Sequence, residues 1–564
     1  MTADALGISA LERIEAILAS PEIHELGAVV PTPPRERGGR PRHYPAFMII
    51  VYEALISVFG SARQVEAELA HATMWRWVRD ACRVSTGIEL PPIPMRRHHY
   101  LYLRNRYLTG PSVLDLLSDV HRKAAATQAQ QLGLLRANGA GSWTSPSLDR
   151  VVYGDGKVVT PLYRARPGEV RLDRTTGELR QLRAEPDADL HFEGTGEAVW
   201  GTKFVILATR GQTTHSRVIL DIAFVADKGG EAATAMSCLE RTVPHLPGAQ
   251  AVVYDTALRG VHHQTILRQL GLVPINRVAA AKASSKKPRR DAKEQRVEKT
   301  VFVETKQLAR AGMPSTRVDL YARAGSIGIG TLTADGELHF TPLPRVRTHR
   351  NPSKHGYRWY NDYRLPDHLG AGTVTVRLHA NHEDSARKFN RTENVRPIAP
   401  DDPAFTELFR RRNDAESINR ALEDTLWLRR AHSLGRRRQL VNMIGYAPHG
   451  QRPRRSTPPT TPGHRRLKPV RPGRTAKHRE PVRVQVTARP RMCPRGQRQT
   501  SPARRAGQAE LSASIPPAPK LAWPGVFSQV FSNPRPRSSG DRASASGAVC
   551  ARSNRAEGTS RNRP

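Results

Sequence analysis

Three acidic residues stand in apolar or strand-like surroundings, where carboxylates are uncommon. Asp155 lies in the segment VVYGDGKVV, Asp255 ends the apolar run VVYD, and Glu416 lies in the helical segment LFRRRNDAESINRALED. Acids at the ends of strands and on an adjacent helix can converge beyond the edge of a sheet. Three converging carboxylates suit a pair of Mg²⁺ ions, which prefer oxygen ligands and serve in-line displacements. The sequence therefore predicts a magnesium site.

Each of these acids also has a purely structural interpretation. The glycines on both sides of Asp155 are typical of a hairpin turn. Asp255 is placed to cap the helix predicted to follow it. Glu416 is placed to form an exposed helical ion pair with Arg412 or Arg420, four residues away on either side. The residue types alone leave both interpretations open.

A second candidate site is the segment MRRHHYLYLRNRYL, residues 95–108, in which basic and aromatic residues alternate. This mixture suits contact with phosphates combined with stacking on bases or sugars, and it makes Arg96, Arg97 and Arg104 candidate DNA contacts. The alternative is an amphipathic helix whose Tyr and Leu side chains pack inward while the Arg side chains face solvent.

The charge of the chain points to a polyanionic partner. Lys and Arg number 89 against 51 Asp and Glu, which gives a formal net charge of +38 and a sequence pI of about 11.0. For a soluble protein the natural partner is nucleic acid. Residues 446–564 hold 25 Lys and Arg against 4 acids, and so carry +21 of this charge.

Other classes of protein are not expected. The four cysteines are scattered without a CxxC pair, which argues against a disulfide scaffold or zinc ribbon and fits a reducing compartment. The first residues lack the pattern of a secretion signal. The apolar stretch 46–59 is interrupted by Glu53 and is too short to cross a bilayer. We therefore expect a cytoplasmic protein without a membrane partner.

Hydrophobic patterning predicts an α/β protein with helices at both ends. Short helices separated by three-residue turns are typical of helix-turn-helix units, and later segments alternate strands and helices as in a mixed sheet. A long helix is predicted from Phe405 to Arg430. The last residues of the chain resemble the translation of a transfer-RNA gene, as expected if translation reads through into flanking DNA. The predicted regions are a helical DNA-binding domain (1–135), the first part of a catalytic domain (148–278), a basic connector with a β-rich insertion (279–400), helices carrying the third acid (401–446) and a disordered Pro/Arg-rich tail (447–564).

The third acid lies in a recognisable pattern. Phe409-x2-Arg412-x3-Glu416-x6-Glu423 resembles the Tyr-x2-Arg-x3-Glu-x6-Lys signature of DDE insertion-sequence transposases. Phe409 replaces the tyrosine, and Glu423 reverses the charge of the lysine. Arg420, Arg429 or Arg430 is expected to supply the lysine's contact with the DNA backbone. The resemblance covers residues 40 to 446.

This resemblance implies a fold and an activity. It implies an RNase H-like sheet split by a β-rich insertion, with Asp155, Asp255 and Glu416 holding Mg²⁺, for which Mn²⁺ can substitute. It implies cleavage and strand transfer on double-stranded DNA, both transposon ends and target, by a homodimer on the bacterial nucleoid. Arg412 is expected to touch DNA near the cut, and Phe409 either to stack on a base or to pack between helices.

Two alternatives remain at this stage. The charge reversal at Glu423 and the unusual tail are compatible with a decayed element, whose product keeps the fold and binds DNA without cutting it. A structure-specific DNA nuclease on the same fold would cut without needing defined ends.

Overall fold

The computed structural model describes residues 10–31, 43–192, 197–211, 216–225, 230–278, 299–310, 313–370, 372–427 and 431–448. Most of the predicted basic connector (279–298), and all of the tail beyond residue 448, lie outside this part of the chain. All described residues belong to one unit, Met1–Gly463.

The described part of the chain begins with helices, as predicted. Ser61 ends the turn between the third and fourth of them, and its Oγ accepts a hydrogen bond from the backbone N–H of Gln64 at 3.1 Å, which satisfies one free donor of the helix start. The helices are α1 Ala10–Leu18, α2 Pro21–Ala28, α3 Phe47–Phe59, α4 Ala62–Ala70, α5 Ala72–Thr86, α6 Arg97–Leu103 and α7 Pro111–Gln131.

Helix α3 is the apolar stretch considered above, and it is buried along almost its entire length. Within the described residues no single helix has the length and hydropathy to cross a membrane. Helices α3 and α4 meet that test only when taken together, and they are bent by 100° relative to each other.

A mixed sheet follows, built on the strand that carries Asp155. Strand β1 is its centre, with β5 antiparallel on one side and β7 parallel on the other, and β8 continues parallel beyond β7. Strands β4 and β6 both pair antiparallel with β5. The strands are β1 Val151–Val159, β2 Val170–Leu172, β3 Leu179–Gln181, β4 Asp189–Phe192, β5 Ala198–Arg210, β6 Arg217–Phe224, β7 Ala251–Val253 and β8 Val273–Ile275, with β2 and β3 forming a separate ribbon.

An apolar cluster lies on each face of this sheet, and the side chains of each strand alternate between the two faces. Val151 and Tyr153 of β1 join one apolar cluster, whereas Val152 joins the other. Helix α8 (Gly230–Thr242) connects β6 to β7, and α9 (Gly260–Thr265), extended by a π-helical turn at Ile266–Leu270, connects β7 to β8. The predicted antiparallel pair 198–210 and 216–227 is confirmed as β5 and β6.

The region predicted to be strand-rich after residue 300 contains two further sheets. One has the order β12-β11-β10-β9, and the other β13-β14-β15. Their strands are β9 Val301–Arg310, β10 Met313–Arg323, β11 Ser326–Leu332, β12 Leu338–Pro342, β13 Arg345–Ser353, β14 Gly356–Leu365 and β15 Gly372–Arg377.

The last described helices include one correction. The prediction of a continuous helix over Phe405–Arg430 is wrong, because the chain turns at Arg410 and Arg411 through hydrogen bonds between residues three apart. Asp402 caps the first segment by accepting the N–H of Ala404 at 2.9 Å. The helices are α10 His382–Ala386, α11 Arg391–Asn394, α12 Pro403–Phe409, α13 Arg412–Leu422 with a π-helical turn at Glu423–Trp427, and α14 Arg436–Tyr446.

The N-terminal helices and the last helix share a core. Glu53 of α3 is fully buried, and it accepts hydrogen bonds from the Tyr100 hydroxyl at 2.5 Å and from Nδ2 of Asn442 on α14 at 2.6 Å. Arg104 donates to the Tyr100 hydroxyl and to Oγ of Ser433. The helical region therefore packs against elements that lie more than 300 residues later in the chain.

Candidate functional site

Asp155 lies in the middle of a regular strand. Pairing between β1 and β5 continues from Tyr153 through Asp155 to Val159, so the interpretation of Gly-Asp-Gly as a hairpin turn is wrong. Pairing with β7 stops at Tyr153. Asp155 therefore lies just beyond the end of β7, at the point where the sheet becomes narrower.

The two glycines beside Asp155 are required by close packing. A Cβ on Gly154 would come within 2.6 Å of Cδ2 of Leu207 and 2.8 Å of the Tyr254 ring. A Cβ on Gly156 would come within 2.4 Å of the carboxyl carbon of Glu231. The absent side chains thus allow neighbouring groups to lie directly on the backbone of β1.

Asp255 follows the end of β7 after Tyr254, as the sequence predicted. Its Oδ1 accepts the backbone N–H of Ala257 at 2.8 Å, which fixes the loop locally. Helix α9 has Arg259 as its N-terminal cap, so the interpretation of Asp255 as the cap of that helix is wrong.

The structure brings Asp155 and Asp255 together with a third carboxylate. Asp155, Glu231 and Asp255 each offer an oxygen, and these oxygens all lie within 4.8 Å of one another. Glu231 comes from the first turn of α8. Its carboxylate lies 2.5 Å from Nζ of Lys203 and accepts the Tyr254 hydroxyl at 3.0 Å.

Burial disfavours the ionisation of Asp155 and Asp255. Burial raises the pKa of Asp155 to about 7, with repulsion from Asp255 and Glu231 adding to it and the Arg412 charge opposing it. Burial also raises the pKa of Asp255, against the effect of the Ala257 N–H. A carboxyl group with a raised pKa in a cleft is typical of a functional site.

Helix α13 lies against this strand and presents Asn419 to it. Nδ2 of Asn419 donates to Oδ2 of Asp155 at 3.0 Å. Glu416, one turn earlier, accepts a hydrogen bond from Arg412 at 2.8 Å, and its side chain is 53% exposed. The predicted i, i+4 pair with Arg412 is therefore confirmed, whereas Arg420 lies 3.7 Å from Asp424 instead.

These residues surround one cavity of about 640 Å³. Glu416 lines it, although its carboxylate is not part of the close group of three. Six acids and four bases contribute to the wall, so the excess charge of the wall is negative in a chain that is strongly basic. The lining residues are Asp155, Gly156, Lys157, Val158, Phe192, Lys203, Glu231, Asp255, Arg412, Glu416, Asn419, Arg420, Glu423 and Asp424.

Glu423, the residue that departs from the expected lysine, has a basic partner across the cavity. Nζ of Lys157 forms an ion pair with its Oε1. Lys157 is two residues beyond Asp155 on β1, and so lies on the same face of the strand. The structure thus places a cation near the position of the expected lysine, but on a different element. Arg429 and Arg430, two other candidates, lie outside the described residues.

The remaining predicted DNA contacts have different surroundings. Phe409 stacks on Phe405 with ring centroids 5.1 Å apart, and the Arg277 guanidinium lies 5.3 Å from its ring, so it packs between elements of the protein. Arg96 is exposed, and Arg97 lies 3.7 Å from Glu66. Arg104 is only 7% exposed and bonded internally, a position that does not support its predicted contact with DNA.

Sequence reasoning missed Glu231, Lys203 and Asn419. Glu231 begins a helix that was predicted, but acids are common in the first turn of any helix because they complement its dipole, so the residue gave no distinct signal. Asn419 follows Glu416 by three residues and therefore shares a helical face with it, which is the one signal the sequence contained.

No family model matches the chain, and no curated protein matches it. Among solved structures, the chain is similar to a piggyBac transposase in a synaptic complex with hairpin DNA, at 9% sequence identity and a TM-score of 0.29. The match covers 78% of this chain and 75% of that one.

Proposed function

We propose that this protein is a DDE-type transposase that binds the ends of an insertion sequence and catalyses metal-dependent cleavage and strand transfer of DNA. The observation that carries the proposal is the convergence of Asp155 and Asp255 with a further carboxylate in an open cavity faced by α13. The sequence resemblance at Phe409 to Glu423 supplies the class of reaction.

The residues of the cavity fit divalent metal ions. Their oxygen donors are of the type that Mg²⁺ and Mn²⁺ accept. Burial raises the pKa of both aspartates, repulsion from Asp255 and Glu231 adds to it at Asp155, and repulsion from Glu231 adds to it at Asp255. A bound cation would offset this repulsion. Asp155 and Asp255 would hold the metal, and Glu416 lines the same cavity. The bound metal would stabilise charge on the attacking and leaving oxygens of a phosphodiester.

Other residues of the cavity have roles that follow from charge and position. Arg412 carries a guanidinium at the cavity wall, where it can grip a phosphate with two parallel hydrogen bonds. Its hydrogen bond to Glu416 holds the two side chains together at the cavity wall. Asn419 orients the Asp155 carboxylate by donating to Oδ2.

The arrangement of the sheet supports an RNase H-like assignment. Strands β5, β1, β7 and β8 are adjacent in that order, with β4 and β6 both paired to β5, and β5 is antiparallel and β7 parallel to the central β1. The first acid is on the central strand, and the second follows the neighbouring parallel strand. The two sheets formed by β9–β15 lie between Asp255 and Glu416 in the chain, in the place of the expected insertion.

The activity can be tested with the full-length protein and labelled DNA that carries the flanks of its own gene. We expect discrete cuts at the element boundary that require Mg²⁺ or Mn²⁺ and vanish in Asp255→Asn. Asp335→Asn, which changes an exposed acid in the turn after β11, is the matched control and should cut normally.

The same assay separates the two alternatives. Specific binding without cutting, at any metal concentration, would indicate the decayed DNA-binding protein. Metal-dependent cutting at scattered sites would indicate the structure-specific nuclease. Retention of cutting in Asp255→Asn would place the active centre elsewhere in the chain.

We further propose that the active form is a homodimer on paired ends, acting on the bacterial nucleoid in the cytoplasm. Pairing of two ends requires two recognition surfaces, and the basic character of the chain favours residence on DNA. Light scattering of the protein mixed with end DNA should give two chains per pair of ends; one chain per pair would contradict this.

A further inference from the structure

We propose that Glu231 is a ligand of the same metal centre, a role that neither the sequence resemblance nor the spacing of the acids assigns to it. This inference rests on the proposed function, since it concerns the metal held by Asp155 and Asp255. It adds a carboxylate to that centre and does not alter the role predicted for Glu416.

The first argument is position. The carboxylate of Glu231 lies within 4.8 Å of those of both aspartates, whereas Glu416 lies outside this group. Its side chain is 13% exposed, and it lies so close to β1 that residue 156 has no room for a Cβ. The backbone beside Asp155 is thus shaped to receive this carboxylate.

The second argument is orientation. Lys203 on β5 and the hydroxyl of Tyr254, the residue before Asp255, both contact the Glu231 carboxylate. A carboxylate offers about four lone-pair sites. Two contacts fix its direction and leave sites that can bind a cation, which is how groups around metal ligands usually act.

The third argument is an independent oxygen at the same place. Asn419 is 8% exposed and lines the cavity, and its Nδ2 is used by Asp155. Among the described residues no donor reaches its buried Oδ1. A buried amide oxygen without a partner is costly, and amide oxygens are accepted ligands of hard cations. The unpaired Asn419 Oδ1 is an observation independent of the acids, and it points to a cation beside Asp155.

The competing role for Glu231 is structural, as the counter-charge of Lys203. Both roles predict weaker metal binding when Glu231 is lost, because an unpaired Lys203 charge would act on Asp255 and oppose a cation. Lys203→Met in the Glu231→Gln background separates them: affinity that stays low supports the ligand role, and affinity restored to normal overturns it.

The experiment is a titration of the full-length protein with Mn²⁺ alone, followed by the electron paramagnetic resonance signal of the free ion. We expect Glu231→Gln to weaken binding by at least about tenfold, since even groups that only support metal ligands are worth 10- to 100-fold. Glu240→Gln changes an exposed acid on the same helix and should bind as the unaltered protein does.

Gly156→Ala provides a second variant that keeps all charges. Its methyl group displaces the Glu231 carboxylate, so we expect a similar loss of Mn²⁺ affinity. Circular dichroism and the metal-free melting temperature establish that each variant is folded before titration.

The outcomes separate this inference from the proposed function. Normal Mn²⁺ binding by Glu231→Gln and Gly156→Ala, with loss in Asp155→Asn and Asp255→Asn, would overturn the role of Glu231 and leave the transposase proposal standing. Normal binding by all four variants would overturn both.

Discussion

At the scale of single residues, the environment of Asp155 determines how the metal-free protein responds to pH. Its pKa is raised to about 7, above the ordinary 3.8. The unfolded chain therefore loses the Asp155 proton at a lower pH than the folded protein does. Between about pH 4 and pH 7 only the folded protein keeps this proton, so the free energy of unfolding falls as the pH rises through that range. One pKa unit corresponds to about 1.4 kcal/mol, so the loss can reach about 4 kcal/mol.

We accordingly expect Asp155→Asn to be more stable than the unaltered protein at pH 8, in the presence of EDTA, and to lose this advantage at pH 4. Urea unfolding at pH 4, 5, 6, 7 and 8 measures it, and the difference between the two proteins cancels the contributions of groups that do not interact with Asp155. Parallel curves for the two proteins would contradict the raised pKa.

Gly154 allows a second prediction at this scale. Gly154→Ala places a methyl group against Leu207 and the Tyr254 ring inside the sheet's packed face, and overpacking of this kind costs about 1–3 kcal/mol. Gly372→Ala, where the nearest atom is a carbonyl oxygen 4.0 Å away, is the control. Thermal unfolding measures both, and equal melting temperatures would show that β1 can shift to accept the methyl group.

The predictability of the site also differs from residue to residue. The sequence predicted Asp155 and Asp255 because an acid inside an apolar run is unusual. It missed Glu231 because an acid at a helix start is common, and only the fold brings α8 over Gly156. The resemblance selected Glu416, but the sequence did not show that Asn419 is the residue of α13 that touches Asp155.

At the scale of elements, two polar side-chain contacts among the described residues link α13 and its π-helical extension to β1, Asn419 with Asp155 and Glu423 with Lys157. The predicted helix through this region was too long because tertiary contacts override local propensity. Arg411 is buried at the break and bonds to Asp414 at 3.1 Å, and Asp414 also pairs with Arg210 of β5. The local sequence, rich in helix formers, contains no sign of these partners.

The ion pair between Lys157 and Glu423 gives a prediction for this element. Glu423→Lys releases Lys157 and adds a cation, so up to two more phosphates can be neutralised. Because each contributes about −0.9 to the slope of log K against log salt, the slope should steepen by up to about 1.8. Fluorescence anisotropy with duplex DNA at several salt concentrations measures this slope.

Glu240→Lys makes the same charge change on the exposed face of α8 and is the matched control. An equal slope for the two variants would show that the position beside Lys157 has no special relation to bound DNA.

At the scale of the whole molecule, charge is divided between the described part of the chain and the tail. Removing residues 450–564 takes away 25 Lys and Arg and 4 acids. We expect this truncation to weaken non-specific DNA binding in a salt-dependent way and to preserve recognition of the element ends. Competition assays with end DNA and random DNA measure both. Loss of end cleavage on truncation would show that the tail takes part in the reaction.

The shared core is the feature of the whole molecule that the sequence could not show. Hydrophobic periodicity predicted the helices before residue 135 and the apolar helix near residue 440, but it contains no information on which helices meet. Glu53 interrupted an apolar stretch, and its partner Asn442 lies 389 residues away. Boundaries drawn from composition therefore say little about which regions unfold together.

Glu53 makes this point testable. Glu53→Ala removes the fully buried carboxylate that faces Arg104, Tyr100 and Asn442. The buried Arg104 charge then lacks its counter-charge, which should lower the free energy of unfolding by about 3–5 kcal/mol. Because α3 and α14 share this core, we expect the helical region and the sheet to lose stability together, as a single transition at lower temperature in calorimetry. Glu89→Ala, at an exposed ion pair, should cost at most about 1 kcal/mol. If hydrogen exchange showed faster opening in α3 and unchanged protection in β5 and β6, the N-terminal helices would be an independently folding domain, and the network around Glu53 would be only a contact between two domains.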